Sequence, residues 1–190
     1  MAMKRAAVLA ALIALWPPGA SANPVKSQYT SIDIKTCKKT RRYADGDAWT
    51  CQGLPGYPVY VAEGDLRTFV SVGARAETRR AASQTLGPFN TIFANGTKRT
   101  TLEWRFDRKG AGLVPYAVIL RYFTHNDAGR GEVIVVAKVT PSQSCHVAYI
   151  DALATREPIV LAHRIADGTA RSFDCSKTPL TIGATGKSPM

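Results

Sequence analysis

Tyr116-Ala-Val-Ile-Leu-Arg-Tyr-Phe-Thr124 and Glu132-Val-Ile-Val-Val-Ala-Lys-Val139 are two apolar runs joined by a polar connector, His125-Asn-Asp-Ala-Gly-Arg-Gly131. β-Branched and aromatic side chains crowd both runs while Asn, Asp and Gly fill the gap, which is the composition of a β-hairpin. In the second run Val133, Val135, Ala137 and Val139 share one face, and Ile134 and Val136 add apolar surface to the other. A strand apolar on both faces is central to its sheet and needs a cover on each side.

Upstream, Thr101–Asp107 alternates with a period of two, so Leu102, Trp104 and Phe106 point one way and Thr101, Glu103, Arg105 and Asp107 the other. This predicts a strand with one wet face that flanks the hairpin. Ile32–Cys37, Ala48–Cys51, Tyr57–Ala62, Leu66–Val72 and Cys145–Ile150 also read as strands, with Cys145, Val147 and Tyr149 on one face of the last. Ala74–Arg99 is a long connector whose first part, Ala74–Ala82, suits a short helix before Gly87-Pro88 ends it. After Thr155 as N-cap and Pro158 in the first turn, Ile159, Ala162, Ile165 and Ala166 recur at helical spacing. This helix is the predicted cover for one face of the hairpin. The fold class is α+β: an antiparallel sheet of six to eight strands built from hairpins, with one C-terminal helix packed on it. An all-β barrel or sandwich with a peripheral helix is the alternative.

The first residues read as an address. Met1-Ala-Met-Lys-Arg5 is basic, Ala6–Trp16 is apolar, Pro17-Pro-Gly19 breaks the run, and Ala20-Ser-Ala22 matches a signal-peptidase site. The expected organisation is a signal peptide over 1–22, one globular domain over 23–175 and a flexible tail over 176–190. The apolar run is shorter than the roughly 20 residues a spanning helix needs, so the chain is expected to be periplasmic or secreted and not membrane-spanning. Four cysteines, Cys37, Cys51, Cys145 and Cys175, suit an oxidising compartment as two disulfides. Of the three possible pairings, Cys37–Cys51 with Cys145–Cys175 is favoured because each closes a local unit, stabilising by about 3 and 4 kcal/mol on loop entropy.

Without Lys4 and Arg5 the 25 basic residues become 23 against 14 acidic ones, a net charge near +9. That balance favours anionic partners. Lys38, Lys39, Arg41 and Arg42, with Arg79 and Arg80, are the candidate binding residues; Lys98-Arg99 and Arg108-Lys109 are lesser concentrations. No nucleic-acid motif accompanies the charge, and none is expected as partner.

Hydrolytic chemistry finds few residues. Cys145 and His146 are strand neighbours and point to opposite faces. There is no G-x-S-x-G elbow, no S-x-x-K and no metal-ligand spacing among the three histidines, so no metal or cofactor is expected. An alternative catalytic set is Glu63 and Asp65 in one turn, or His125 with Asp127 in the hairpin connector.

Trp49-Thr-Cys51-Gln-Gly53, Gly56-Tyr-Pro-Val-Tyr-Val-Ala-Glu-Gly-Asp-Leu-Arg67, Ser144-Cys-His-Val-Ala-Tyr-Ile-Asp-Ala152 and Ser172-Phe-Asp-Cys175 resemble a family of uncharacterised exported bacterial proteins. The resemblance implies a periplasmic address and brings no activity, cofactor or functional residue. The expected function is a non-enzymatic periplasmic domain that binds an anionic envelope polymer or an acidic protein, with lytic-enzyme inhibition as a narrower form. A small periplasmic hydrolase is the rival, and a structural or assembly module, marked by an apolar patch near Phe89–Phe93, is the third reading.

Overall fold

In the computed structural model, which describes residues 26–42, 44–109 and 112–190, the deciding stretch is a hairpin of β8 (Gly112–Asn126) and β9 (Gly129–Val139). Pairing runs on through His125↔Arg130 to Asn126↔Gly129, so the seven-residue connector closes to the two-residue turn Asp127-Ala128. The Asn126 side-chain oxygen accepts a 2.9 Å hydrogen bond from the Ala128 N–H, the local capping that suits Asn to turns. The expected signal peptide, and its cleavage near Ala22, lie outside the described residues.

The other strands are β1 (Lys26–Asp33), β2 (Lys38–Arg42), β3 (Asp47–Leu54), β4 (Tyr57–Gly64), β5 (Arg67–Val72), β6 (Phe89–Thr91), β7 (Arg99–Lys109), β10 (Ser144–Asp151) and β11 (Leu180–Thr181). They form two sheets, not one. The larger has seven strands in the order β1-β7-β8-β9-β10-β11 with β6 also on β8; the smaller has four, β2-β3-β4-β5. Every pairing is antiparallel except β10 with β11, so the large sheet is mixed, and neither sheet closes into a barrel.

Each face of the hairpin has its cover. Val133, Val135, Ala137 and Val139, with Leu120 and Tyr122, pack against Trp49, Val59, Val61, Val70 and Val72 of the small sheet. Ile134, Val136 and Ile119 pack against Ala162, Ile165, Ala166 and Phe173, on and beyond the helix α1 (Pro158–Ile165). The molecule is thus small sheet, large sheet and helix in three layers. Each buried Val or Ile contributes roughly 1.5–3 kcal/mol, and the alternation of β9 feeds both cores at once. Ala162, Ile165 and Ala166 are buried as their spacing requires, but Ile159, expected on the same stripe, is 38 % exposed because the first turn of the helix projects past the core.

Several local expectations are corrected. The first strand is Lys26–Asp33, paired with β7, and not Ile32–Cys37; residues 34–37 form the turn that carries the chain into the other sheet. Ala74–Ala82 forms two separate 3-10 turns, Ala76–Thr78 and Arg80–Ser83. The helix begins after Glu157 at φ 51°, with Pro158 at its first position, while the Thr155 hydroxyl donates to the Ala184 carbonyl at 3.0 Å instead of capping. A bulge between His146 and Ala148 turns Tyr149 toward the inter-sheet core, away from the face of Cys145 and Val147. Ile92 and Phe93 are core residues, so no apolar patch stands at Phe89–Phe93.

Both disulfides form with the sequential pairing, Cα–Cα 4.5 Å for Cys37–Cys51 and 5.7 Å for Cys145–Cys175. The first ties the start of β2 to β3; the second ties β10 to the segment beyond the helix. The stretch 176–190, read as a flexible tail, is docked. β11 pairs with β10, and Ser188 is buried against Asp151 and the Glu132 carbonyl. At Gly131 a Cβ would lie 2.5 Å from the Ser188 Cβ, so glycine is what lets this segment approach. No helix among the described residues is long and apolar enough to cross a membrane.

Candidate functional site

The basic run Lys38-Lys-Thr-Arg-Arg42 becomes an edge strand. Among the described residues β2 pairs only with β3, and all five of its residues are exposed. Lysine and arginine keep such an edge from recruiting other strands, and here they also concentrate four cations on one rib. Asp47 is the acidic neighbour of Lys39, at 2.6 Å, and of Arg42, at 3.7 Å. Lys39 lies 5.6 Å from the Trp49 ring centroid. Lys38 has no ion pair among the described residues.

A hollow of about 440 Å³ opens beside this rib, lined by Thr40, Arg41, Thr50, Tyr60, Glu77 and Thr78. Thr78 leads into Arg79 and Arg80, but neither of these lines the hollow, so the two basic segments picked out in the sequence are not brought together there. The two arginines differ in role. Arg79 is spent internally, its guanidinium donating to the carbonyls of Ala74, Pro141 and Ser142. Arg80 is exposed.

The alternative catalytic residues divide. Glu63 and His125 line one hollow of about 320 Å³, with Asp45, Arg67 and Asn90. Asp65 turns away to pair with Arg67 at the surface, and Asp127 stands exposed at the hairpin tip. Glu63 lies 3.8 Å from Lys98. The His125 ring packs on Phe89 with centroids 5.3 Å apart. The two proposed couples, Glu63 with Asp65 and His125 with Asp127, are therefore not assembled in one site. No cluster of three potential metal ligands occurs among the described residues.

A polar network appears where a wet face was expected. Glu103 and Arg105 are each 6 % exposed, because the turn after α1 covers them. Arg105 donates to both Asp167 oxygens, at 3.0 and 2.7 Å, and to Ser27 Oγ at 2.6 Å. Ser27 in turn donates to Glu103, and His163 Nε2 lies 2.8 Å from the same carboxylate oxygen. The Tyr116 hydroxyl donates to Asp167 at 2.7 Å, while the Arg171 guanidinium sits 3.4 Å over its ring. Burial and the Asp167 hydrogen bond push Tyr116 up to about 12. Burial alone would raise Asp167, but bonds from Arg105 and Tyr116 outweigh it and hold the carboxyl below its ordinary range. With every member bonded and the helix turn as lid, the network's chemistry is to clamp helix to sheet. A period of two marked these side chains as outward-facing; nothing in the spacing linked Arg105 to Asp167.

The outer face of the large sheet is only partly covered. The β7–β8 ladder stops at Glu103↔Ile119, after which β7 continues with β1, and β6 takes up pairing with β8 from Phe123 onward. Where the strands part lies a cleft of about 380 Å³, which shares Ala94 and Phe123 with a second of about 500 Å³. Ile119, Arg121, Phe123 and His125, alternate residues of β8, run along the two, and Arg121 pairs with Glu132. No family model, curated protein or solved structure matches the chain.

Proposed function

We propose that the chain is a non-enzymatic binding domain that works after export, beside the exported bacterial proteins it resembles, and holds an anionic partner on the β2 rib. One observation carries this reading: Lys38–Arg42 is a fully exposed edge strand with four cations, against Asp47 and, in the hollow beside Arg41, Glu77. The net charge near +9 that remains without Lys4 and Arg5 supports it, because long-range attraction concentrates polyanions at such a surface. The hollow beside Arg41 is polar, lined by Thr40, Thr50, Thr78, Tyr60 and Glu77. A polymer bearing repeated phosphates or carboxylates fits a rib of this kind better than a compact ligand, since successive cations lie along a strand.

The test is binding to polyphosphate across a salt series, for the wild type and for a Lys38→Glu/Arg42→Glu variant. Both positions are exposed, so the fold should survive. Affinity is expected to fall steeply as salt rises, and the variant to lose at least tenfold with a shallower salt slope. Salt-insensitive binding, no binding, or an unaffected variant would sink the reading.

A further inference from the structure

The second candidate surface is the cleft at the parting of β7 and β8, on the opposite side of the large sheet from the small one. Its existence follows from element lengths. A strand of fifteen residues extends about 50 Å at 3.3 Å per residue, and the helical stretch of Pro158–Ile165 with its continuation Ala166–Ala170 reaches about 20 Å. The helix therefore leaves the hairpin end of the outer face bare.

The bare part has apolar rims. Six large apolar side chains stand exposed among the described residues, and Tyr29 (59 %), Leu153 (45 %) and Ile159 (38 %) of these line the cleft. Val160, a fourth, follows Ile159 on the first turn of the helix. Exposed apolar groups gathered at one concavity mark a contact site more than scattered ones do. The charge is lopsided. Of the two carboxylates, Glu132 is paired with Arg121, and Glu103 is bonded to Ser27 and His163. Among the described residues the Arg99 guanidinium bonds only the Ser31 hydroxyl, and Arg130 has no ion pair. The floor from Ile119 to His125 spans six residue steps of β8, about 20 Å, the length of an extended chain of about six residues.

We infer that this cleft seats an extended peptide segment of a partner protein in which acidic and apolar side chains alternate. Alternation is the requirement an extended backbone imposes: one set of side chains reaches Arg99 and Arg130, and the other reaches the Tyr29, Leu153 and Ile159 rim. The site is independent of the β2 rib, so it can fail without disturbing the reading above.

The probe is a fluorescein-labelled hexapeptide of alternating glutamate and leucine, followed by anisotropy on the intact disulfide-bonded protein at moderate salt. Lysine–leucine and glutamate–serine hexapeptides are the controls. The glutamate–leucine peptide is expected to bind at least tenfold more tightly than either control. It is expected to lose at least tenfold in Arg99→Glu/Arg130→Glu and in Leu153→Asp, and to keep its affinity in Lys38→Glu/Arg42→Glu. The arginine variant decides the matter if Leu153→Asp does not fold, because Arg99 and Arg130 are exposed. The proposal is overturned if the peptide binds no better than its controls. It is also overturned if the rib variant rather than the cleft variants abolishes binding, or if neutral oligosaccharides occupy the cleft in place of peptide.

Discussion

The guanidinium of Arg105 grips the carboxylate of Asp167 by two hydrogen bonds, joining the middle of β7 to the turn that ends the helix. The Arg105 side chain is almost wholly buried and that of Asp167 is one-third exposed. Removing one partner strands the other under the helix.

Arg105→Ala should therefore destabilise the fold by about 2–4 kcal/mol, the lower half of the range for a broken buried pair extended downward for the solvent at Asp167. Urea unfolding of Arg105→Ala, Asp167→Asn and the double variant measures the coupling. Because Tyr116 also donates to Asp167, the two single losses should exceed the double loss when summed. Strict additivity would show that the fork does not clamp the helix.

The same pair shows what could be read from the chain. The hairpin, the two faces of β9, the helix stripe through Ala162 and Ile165, and both disulfides were legible because each rests on local period or spacing. The second sheet was not. Val59, Val61, Val70 and Val72 announce strands, but nothing local tells which strands they pair with, and β1 leaves Cys37 for the other sheet within four residues. Arg105 alternated outward and so looked wet; only the packing of a segment some sixty residues away buries it. The basic rib was visible as a run of charge, whereas the hollow beside it joins Thr40 and Arg41 to Tyr60, Glu77 and Thr78, residues far along the chain. The cleft depends on where one ladder ends and another begins, which the sequence does not encode locally.

Asp151 should govern the docking of the last residues. Its oxygens accept from the N–H groups of Leu153, Ala154, Lys187 and Ser188 and from the Ser188 hydroxyl, at 2.6 to 3.1 Å. Burial alone would raise this carboxyl, but the bonds from Ser188, Lys187 and Ala154 outweigh it and pull it down to about 2. The folded value is depressed, so the stabilisation is present in full above the ordinary carboxylate range and is lost as pH falls from about 4 through 2. It amounts to about 2 kcal/mol. Asp151→Asn places an NH₂ against two N–H donors and should cost a similar amount at neutral pH. Hydrogen exchange over 180–190 should rise with it; unchanged protection there would refute the latch.

His146 should set the acid sensitivity above that window. Its ring is 2 % exposed, between the sheets, with Nδ1 3.0 Å from the Tyr149 hydroxyl and no carboxylate facing it among the described residues. Burial without a compensating anion lowers it to about 4. The folded imidazole thus stays neutral while the unfolded one takes up a proton near 6.5, so between those values the unfolded chain binds more protons. Stability is complete above pH 6.5 and declines as pH falls toward 4, by about 3 kcal/mol at the lower end. His146→Phe removes the titrating group in a cavity lined by Val70, Val72 and Leu102, and should flatten this part of the profile even if the ring fits less well. Urea midpoints at pH 7 and pH 4.5 for both proteins decide it. The variant must lose much less stability between the two values than the wild type does, and equal losses would mean that the acid sensitivity arises elsewhere. Asp151 titrates below this interval, so its contribution does not obscure the comparison.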